Sequence, residues 1–194
     1  MRLFFAVALP DAVRQKLATF ESDLRQQAPK APVSWVVPEN IHLTLRFLGE
    51  VPEARIENVK DAGHGVAATV APFALVLEHV GTFGGKASPR VIWVGLRDDD
   101  GKAKLRQVAE GLERAARKLG FQAEDRPFAA HATLGRVRDF KARRDLAPLV
   151  EALDARKDFE AGSFPVASFV LYESRMQGPR PPEYVPLETY ALQG

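Results

Sequence analysis

A four-residue pattern occurs twice in this chain, and the interval between its copies limits the possible folds more than any other feature. His42-Leu43-Thr44-Leu45 reads His-x-Thr-Leu, and His131-Ala132-Thr133-Leu134 repeats it 131 − 42 = 89 residues later. Only four histidines are present, His42, His64, His79 and His131, and two of them carry the pattern. With 6 threonines and 20 leucines in 194 residues, chance supplies it at about 0.3% per histidine (6/194 × 20/194). The same offset lays Leu3-Phe4-Phe5-Ala6-Val7 over Ile92-Trp93-Val94-Gly95-Leu96. The chain therefore reads as a degenerate internal duplication. Its natural product is two α+β lobes related by a pseudo-twofold axis, with the His-x-Thr strands lining the cleft between them. Which outer strand joins which sheet does not follow from the repeat.

Both copies read as β-strands. Ile41, Leu43 and Leu45 are apolar at every second position, with His42 and Thr44 between them, and alternation of this kind is the strand signature. Side chains two apart share a face, roughly 6.5–7 Å apart along the strand. Each strand thus presents an imidazole and a hydroxyl over an apolar back. An imidazole exchanges protons near neutrality. Threonine, stiff at χ1, holds its hydroxyl as a fixed donor. Two such pairs facing each other supply one acid, one base and two oxygen binders, which suits in-line attack of water on a phosphodiester. A lone histidine in a strand is usually structural; repetition at a shared spacing reverses that expectation. No histidine pair has close metal-ligand spacing and there is no cysteine to complete a zinc set, so neither a metal nor another cofactor is expected.

Composition narrows the class. Hydrophobic residues make up 46% and charged residues 27% of the chain, as in ordinary soluble proteins. The absence of cysteine rules out a disulfide framework and fits a cytoplasmic protein. The apolar run from Leu3 to Leu9 is short and passes into Pro10-Asp11 without a processing region, so a first strand is expected and not a signal peptide. No segment approaches 18 apolar residues, and no membrane association is expected. A net charge of +2 suits an anionic ligand but not extensive nucleic-acid coating.

Taken in order, residues 2–9 read as a strand, and Asp11 as the cap of a helix to Gln27 that buries Val13, Leu17, Phe20 and Leu24. A short strand is expected at 34–37, then the first motif strand, a helix over 53–69 weakened by Gly63 and Gly65, and a strand over 73–80. Gly81 to Lys86 lacks a phosphate-loop or dinucleotide pattern and reads as a hairpin or connecting loop. A strand over 90–96 follows. Asp98-Asp99-Asp100-Gly101 looks like a Mg²⁺ site but reads better as a turn and helix start. A helix over 102–119 ends at Gly120. Residues 121–124 are expected as a short strand ahead of the second motif strand, which runs to Val137. The basic run Lys141 to Asp145 opens a helix ending near Leu153 and reads as a solvated face. Two final strands are expected at 164–173 and 185–192.

At this point the residues resemble a known family. Asn40-Ile41-His42-Leu43-Thr44-Leu45-Arg46-Phe47-Leu48-Gly49 and Pro127-Phe128-Ala129-Ala130-His131-Ala132-Thr133-Leu134-Gly135-Arg136 are similar to the two signatures of the two-histidine phosphoesterases. The branch is the bacterial and archaeal RNA 2′,3′-cyclic phosphodiesterases, also called 2′-5′ RNA ligases. The resemblance extends from Arg2-Leu3-Phe4-Phe5-Ala6 through Pro89-Arg90-Val91-Ile92-Trp93 to Tyr172-Glu173-Ser174. It implies an α+β fold of two antiparallel sheets with helices on their outer faces, forming one bilobed domain over 1–194. It implies metal-free opening of a terminal 2′,3′-cyclic phosphate to a 2′-phosphomonoester, and reversible 2′-5′ joining by the same groups. It implies His42 as proton donor, His131 as proton acceptor, Thr44, Thr133 and Arg136 as phosphate binders, and Phe47 as a base-stacking aromatic. The partners implied are RNA ends or small cyclic nucleotides, and a monomer is expected. Phe47 and Arg136 each lie five residues after their histidine, which on a regular strand puts them on the opposite face unless a bulge intervenes. The chain departs from the family at Ala129-Ala130, where Arg-Pro is common, and at Ala132, where a larger apolar residue is common. A non-catalytic module binding nucleotides or RNA ends is the alternative, though binding alone needs no pair of titratable imidazoles.

Overall fold

The computed structural model describes residues 1–85, 87–139 and 141–194. Nine strands and four α-helices alternate among them. The strands are β1 (Arg2–Ala8), β2 (Val33–Trp35), β3 (His42–Glu50), β4 (Phe73–Gly85), β5 (Ser88–Leu96), β6 (Ala132–Val137), β7 (Glu160–Val166), β8 (Ser168–Arg175) and β9 (Glu183–Ala191). The helices are α1 (Asp11–Gln27), α2 (Ile56–Ala67), α3 (Asp100–Lys118) and α4 (Arg143–Asp154). Among the described residues, no helix is long and apolar enough to cross a membrane.

The strand order is β7-β4-β5-β6-β3-β1-β8-β9, with β2 pairing on β6. Every pairing is antiparallel. The order is symmetric about its centre: β3 and β6 are inner, β1 and β5 flank them. The half-sheet β3-β1-β8-β9 and the half-sheet β7-β4-β5-β6, to which β2 adds on β6, join at one register pair, Leu43 with Ala132. The repeat does not map one half onto one sheet. β4, from the first half, lies beside β5 in the second sheet, and β8, from the second half, lies beside β1 in the first. The helices exchange as well: α1 packs on α4 and β7, and α2 on α3, β8 and β9.

Local chemistry explains the elements and the departures from expectation. Helix α1 spans the expected residues and buries Val13, Leu17, Phe20 and Leu24. Its N-cap, however, is Pro10, and Asp11 is the first helical residue, paired with Arg14. The run Asp98 to Gly101 is a helix start as expected, although α3 begins at Asp100; Asp99 is its N-cap, and its carboxylate accepts from the Lys102 backbone N–H at 3.1 Å. Gly120 ends that helix at φ +81°, a conformation glycine adopts without strain. Strand β4 runs on to Gly85, so Gly81–Gly85 belong to a hairpin arm and not to a loop; Lys86 lies outside the described residues. Residues 121–124 form no strand, because the Gln122 carbonyl is taken by the Arg46 side chain. The single strand expected at 164–173 is two, β7 and β8. β7 starts at Glu160, ahead of the expected position, and is an edge strand, where Pro165 is tolerated.

Gly63 and Gly65 on α2 have opposite roles. A Cβ at Gly63 would lie 2.5 Å from ring carbons of the buried Tyr190, whereas one at Gly65 meets nothing within 4 Å. Gly65→Ala is expected to stabilise by about 0.5–1 kcal/mol through helix propensity. Gly63→Ala is expected to destabilise by about 1–3 kcal/mol through overpacking. Urea melts of the two variants check the difference in sign; a stabilised Gly63→Ala would mean that α2 does not sit closely on Tyr190.

Candidate active site

The register at the dyad builds the site. Leu43 and Ala132, the residues between histidine and threonine in the two motifs, are the pair that joins β3 to β6, and both are fully buried. In antiparallel pairing the flanking residues then oppose each other. That register directs His42 toward Thr133 and Thr44 toward His131. Two imidazoles and two hydroxyls thus form a four-cornered group on one face. His42, Thr44, His131 and Thr133 all line one cleft of about 650 Å³. The sequence placed these four together, and the structure does so. His64 and His79 sit elsewhere, on α2 and β4, with exposed side chains.

Both imidazoles are held the same way. His42 Nδ1 lies 2.7 Å from the Asn40 carbonyl, and His131 Nδ1 lies 2.7 Å from the Ala129 carbonyl. A carbonyl only accepts, so each Nδ1 carries the proton and donates it. This leaves each Nε2 as the working nitrogen. His42 Nε2 is 2.9 Å from Thr44 Oγ1. Aromatic rings bracket each imidazole: Phe4 and Tyr184 around His42, with centroids at 5.1 and 5.3 Å, and Phe83 and Trp93 around His131 at 4.9 and 6.5 Å. Burial among these rings lowers both histidine pKa values from 6.5. The Asn40 and Ala129 carbonyls oppose the effect, while the charge of the other histidine adds to it at His42, and that of Arg136 at His131.

Bulges decide where Phe47 and Arg136 point. In β3, Ala6 pairs with Thr44 and Phe5 with Arg46, so Leu45 is an extra residue. In β6, Trp93 pairs with Thr133 and Ile92 with Gly135, so Leu134 is the extra residue at the dyad-related position. An extra residue shifts the side-chain alternation by one. Phe47 and Arg136 therefore return to the face of the histidines, and both line the cleft. Phe47 is 46% exposed, an unusual state for its ring in a packed sheet.

Several rings around the two histidines went unread in the sequence. Phe4 and Trp93 are dyad mates that the 89-residue offset superposes; Tyr184 and Phe83 come from strands whose placement no local pattern marks. Gly81 sits opposite Trp93, and a Cβ there would fall 2.4 Å from the indole. Glycine at 81 thus makes room for the ring beside His131. Arg46, also on the cleft wall, is only 5% exposed and reaches Glu113 at 2.6 Å, Glu124 at 2.8 Å and the carbonyls of Phe47 and Gln122. It ties the segment after α3 to β3. Among the described residues, no group of three or more His, Cys, Asp or Glu side chains is arranged to hold a metal ion.

Two antiparallel half-sheets that meet at paired His-x-Thr strands define a two-histidine phosphoesterase. The chain belongs to the LigT like Phosphoesterase family, whose profile matches it twice, over residues 7–93 and 94–182, one match per motif. It is similar to the RNA 2′,3′-cyclic phosphodiesterase of Geobacillus stearothermophilus, 33% identical over 193 residues; the match takes in 98% of this chain but only 57% of that protein. The RNA 2′,3′-cyclic phosphodiesterase of Archaeoglobus fulgidus is also 33% identical, over 98% of this chain and 99% of the relative. The crystal structure of E. coli LigT complexed with 3′-AMP superposes with a TM-score of 0.77 at 29% identity, over 100% of this chain and 98% of that one.

Proposed function

We propose that the cleft opens a 2′,3′-cyclic phosphate at an RNA end to a 2′-phosphomonoester, without a metal ion, using His131 as base and His42 as acid. The observation that carries this reading is the four-cornered group of two imidazoles and two hydroxyls on one face, each imidazole presenting Nε2. The names of the relatives point to the same substrate. Water attacks phosphorus in line with the P–O3′ bond. His131 Nε2 takes the water's proton as the new P–O bond forms. The P–O3′ bond breaks, and the Nε2 proton of the His42 imidazolium passes to the departing 3′ oxygen. Thr44, Thr133 and Arg136 hold the non-bridging oxygens, and Phe47 stacks on the terminal base.

Near-symmetry would let either histidine play either part, and the roles follow the family resemblance. Arg136 beside His131 is compatible with it, favouring the neutral form that a base requires. The anionic phosphate, once bound, favours the charged form of whichever imidazole serves as acid. With a 5′-hydroxyl in place of water, the same proton transfers would form a P–O5′ bond as the P–O3′ bond breaks, a 2′-5′ ligation without ATP.

The test is product analysis on an oligoribonucleotide ending in 2′,3′-cyclic phosphate, in the presence of a chelator. A 2′-phosphate end is the expected result. A 3′-phosphate end would reassign the leaving oxygen, and an unchanged substrate under prolonged incubation would leave a binding module. The pH dependence follows from the lowered histidine values. The working state has one imidazole charged and the other neutral, and it is most populated between the two apparent values of the coupled pair. Both are lowered from 6.5 in the free protein, so kcat/KM is expected to peak below pH 6.5 and to fall as pH rises through neutrality. An optimum above pH 7, with chemistry limiting, would contradict this.

A further inference from the structure

A second, smaller pocket of about 270 Å³ adjoins the cleft at His131 and shares Phe83, Phe128 and Ala129 with it. The catalytic group does not use it. Its walls combine three aromatic rings, Phe83, Trp93 and Phe128, with two cations one helical turn apart on α3, Lys102 and Arg106. Ala129 and Ala130 form another part of the wall, and larger side chains there would take up the space.

The charges of this pocket are largely available. Arg106 has no ion-pair partner among the described residues, and it is exposed. Among the described residues Lys102 pairs only with Asp98, at 3.1 Å, and Asp98 is 89% exposed, so the pair contributes little and is readily exchanged for a phosphate. The Trp93 indole N–H is buried with no acceptor among the described residues. Aromatic faces beside paired cations are what single-stranded nucleic acid requires: a stacking surface for a base and a positive path for its backbone.

We propose that this pocket is the subsite for the nucleotide on the 5′ side of the terminal one, with Lys102 and Arg106 binding the connecting phosphodiester and Phe83 or Phe128 stacking the penultimate base. The proposal rests on the reading of the main cleft as a cyclic phosphodiesterase. It makes the preferred substrate an RNA end of two or more nucleotides, in preference to a mononucleoside cyclic phosphate.

The test compares kcat/KM for a mononucleoside 2′,3′-cyclic phosphate and for a short oligoribonucleotide with the same terminal nucleoside. The ratio of the two is measured in the parent protein, in Arg106→Glu and in a Lys102→Ala/Arg106→Ala double variant. The ratio is expected to favour the oligonucleotide and to fall about tenfold in the variants, mainly through KM, with a shallower salt dependence. A loss of folded protein lowers both terms equally and leaves the ratio unmoved. A parent protein that opens both substrates with a ratio that the variants do not change would overturn the subsite. A parent protein that opens neither would instead overturn the reading of the main cleft.

Discussion

Alanine at His42 or at His131 is expected to lower kcat for cyclic-phosphate opening by about 10²–10⁴-fold each, with the fold intact. Both side chains face the cleft and neither belongs to the hydrophobic core, so little packing is lost. The double variant is expected to lose little more than the worse single one, because an acid without its base leaves the displacement nearly as slow. Steady-state rates in a chelator-containing buffer, with circular dichroism as the folding control, make the measurement. Full activity in either single variant would remove the two-histidine mechanism. Thr44 adds a finer expectation. It sits 2.9 Å from His42 Nε2, so Thr44→Val frees the imidazole from its partner while removing the proposed phosphate contact, and the loss is expected to fall on KM as well as kcat.

The second large effect concerns stability. Arg46→Met is expected to destabilise the protein by about 3 kcal/mol, the lower end for breaking a buried ion pair, and to lower Tm by about 6–12 °C. Arg46 is nearly buried, forms ion pairs with two carboxylates and donates to two carbonyls. Its removal strands Glu113, which is mostly covered, more than Glu124, which is half exposed. Arg46→Lys is expected to recover only part of the loss, since an ammonium cannot span partners set out for a planar guanidinium. Thermal melts rank the three proteins. A melt unchanged in Arg46→Met would mean that the segment after α3 is held by other contacts.

What could be read in the sequence, and what could not, divides along one physical line. The histidine and threonine positions were legible because a strand turns a two-residue spacing into a shared face, and because the repeat showed which face mattered. The orientation of Phe47 and Arg136 was not. It depends on the bulges at Leu45 and Leu134, and neither leucine carries any local mark of one. Tyr184 falls just outside the final strand expected at 185–192, yet it is the second residue of β9 and its ring meets His42 edge-on. Its place depends on β8 and β9 completing the first sheet, a long-range choice. Residues 121–124 failed for the same reason: a strand-like run is overridden when a distant arginine claims its carbonyl. Local alternation survives in the sequence; pairings set by remote partners do not.

The exchange of strands between the sheets bears on synthesis of the chain. When the first half has left the ribosome, β1 and β3 are present, but β8, which pairs along β1, is not. β4 and β5 can form their hairpin, but β6 and β7, which flank it, are still to come. Neither repeat can therefore close its own sheet during translation, and assembly waits for residues near the C-terminal end. Such non-local pairing predicts folding on the millisecond-to-second scale and an interval in which unpaired strand edges are open to other chains. The price of placing two histidines on one dyad is a nascent chain that depends on protection until β9 emerges.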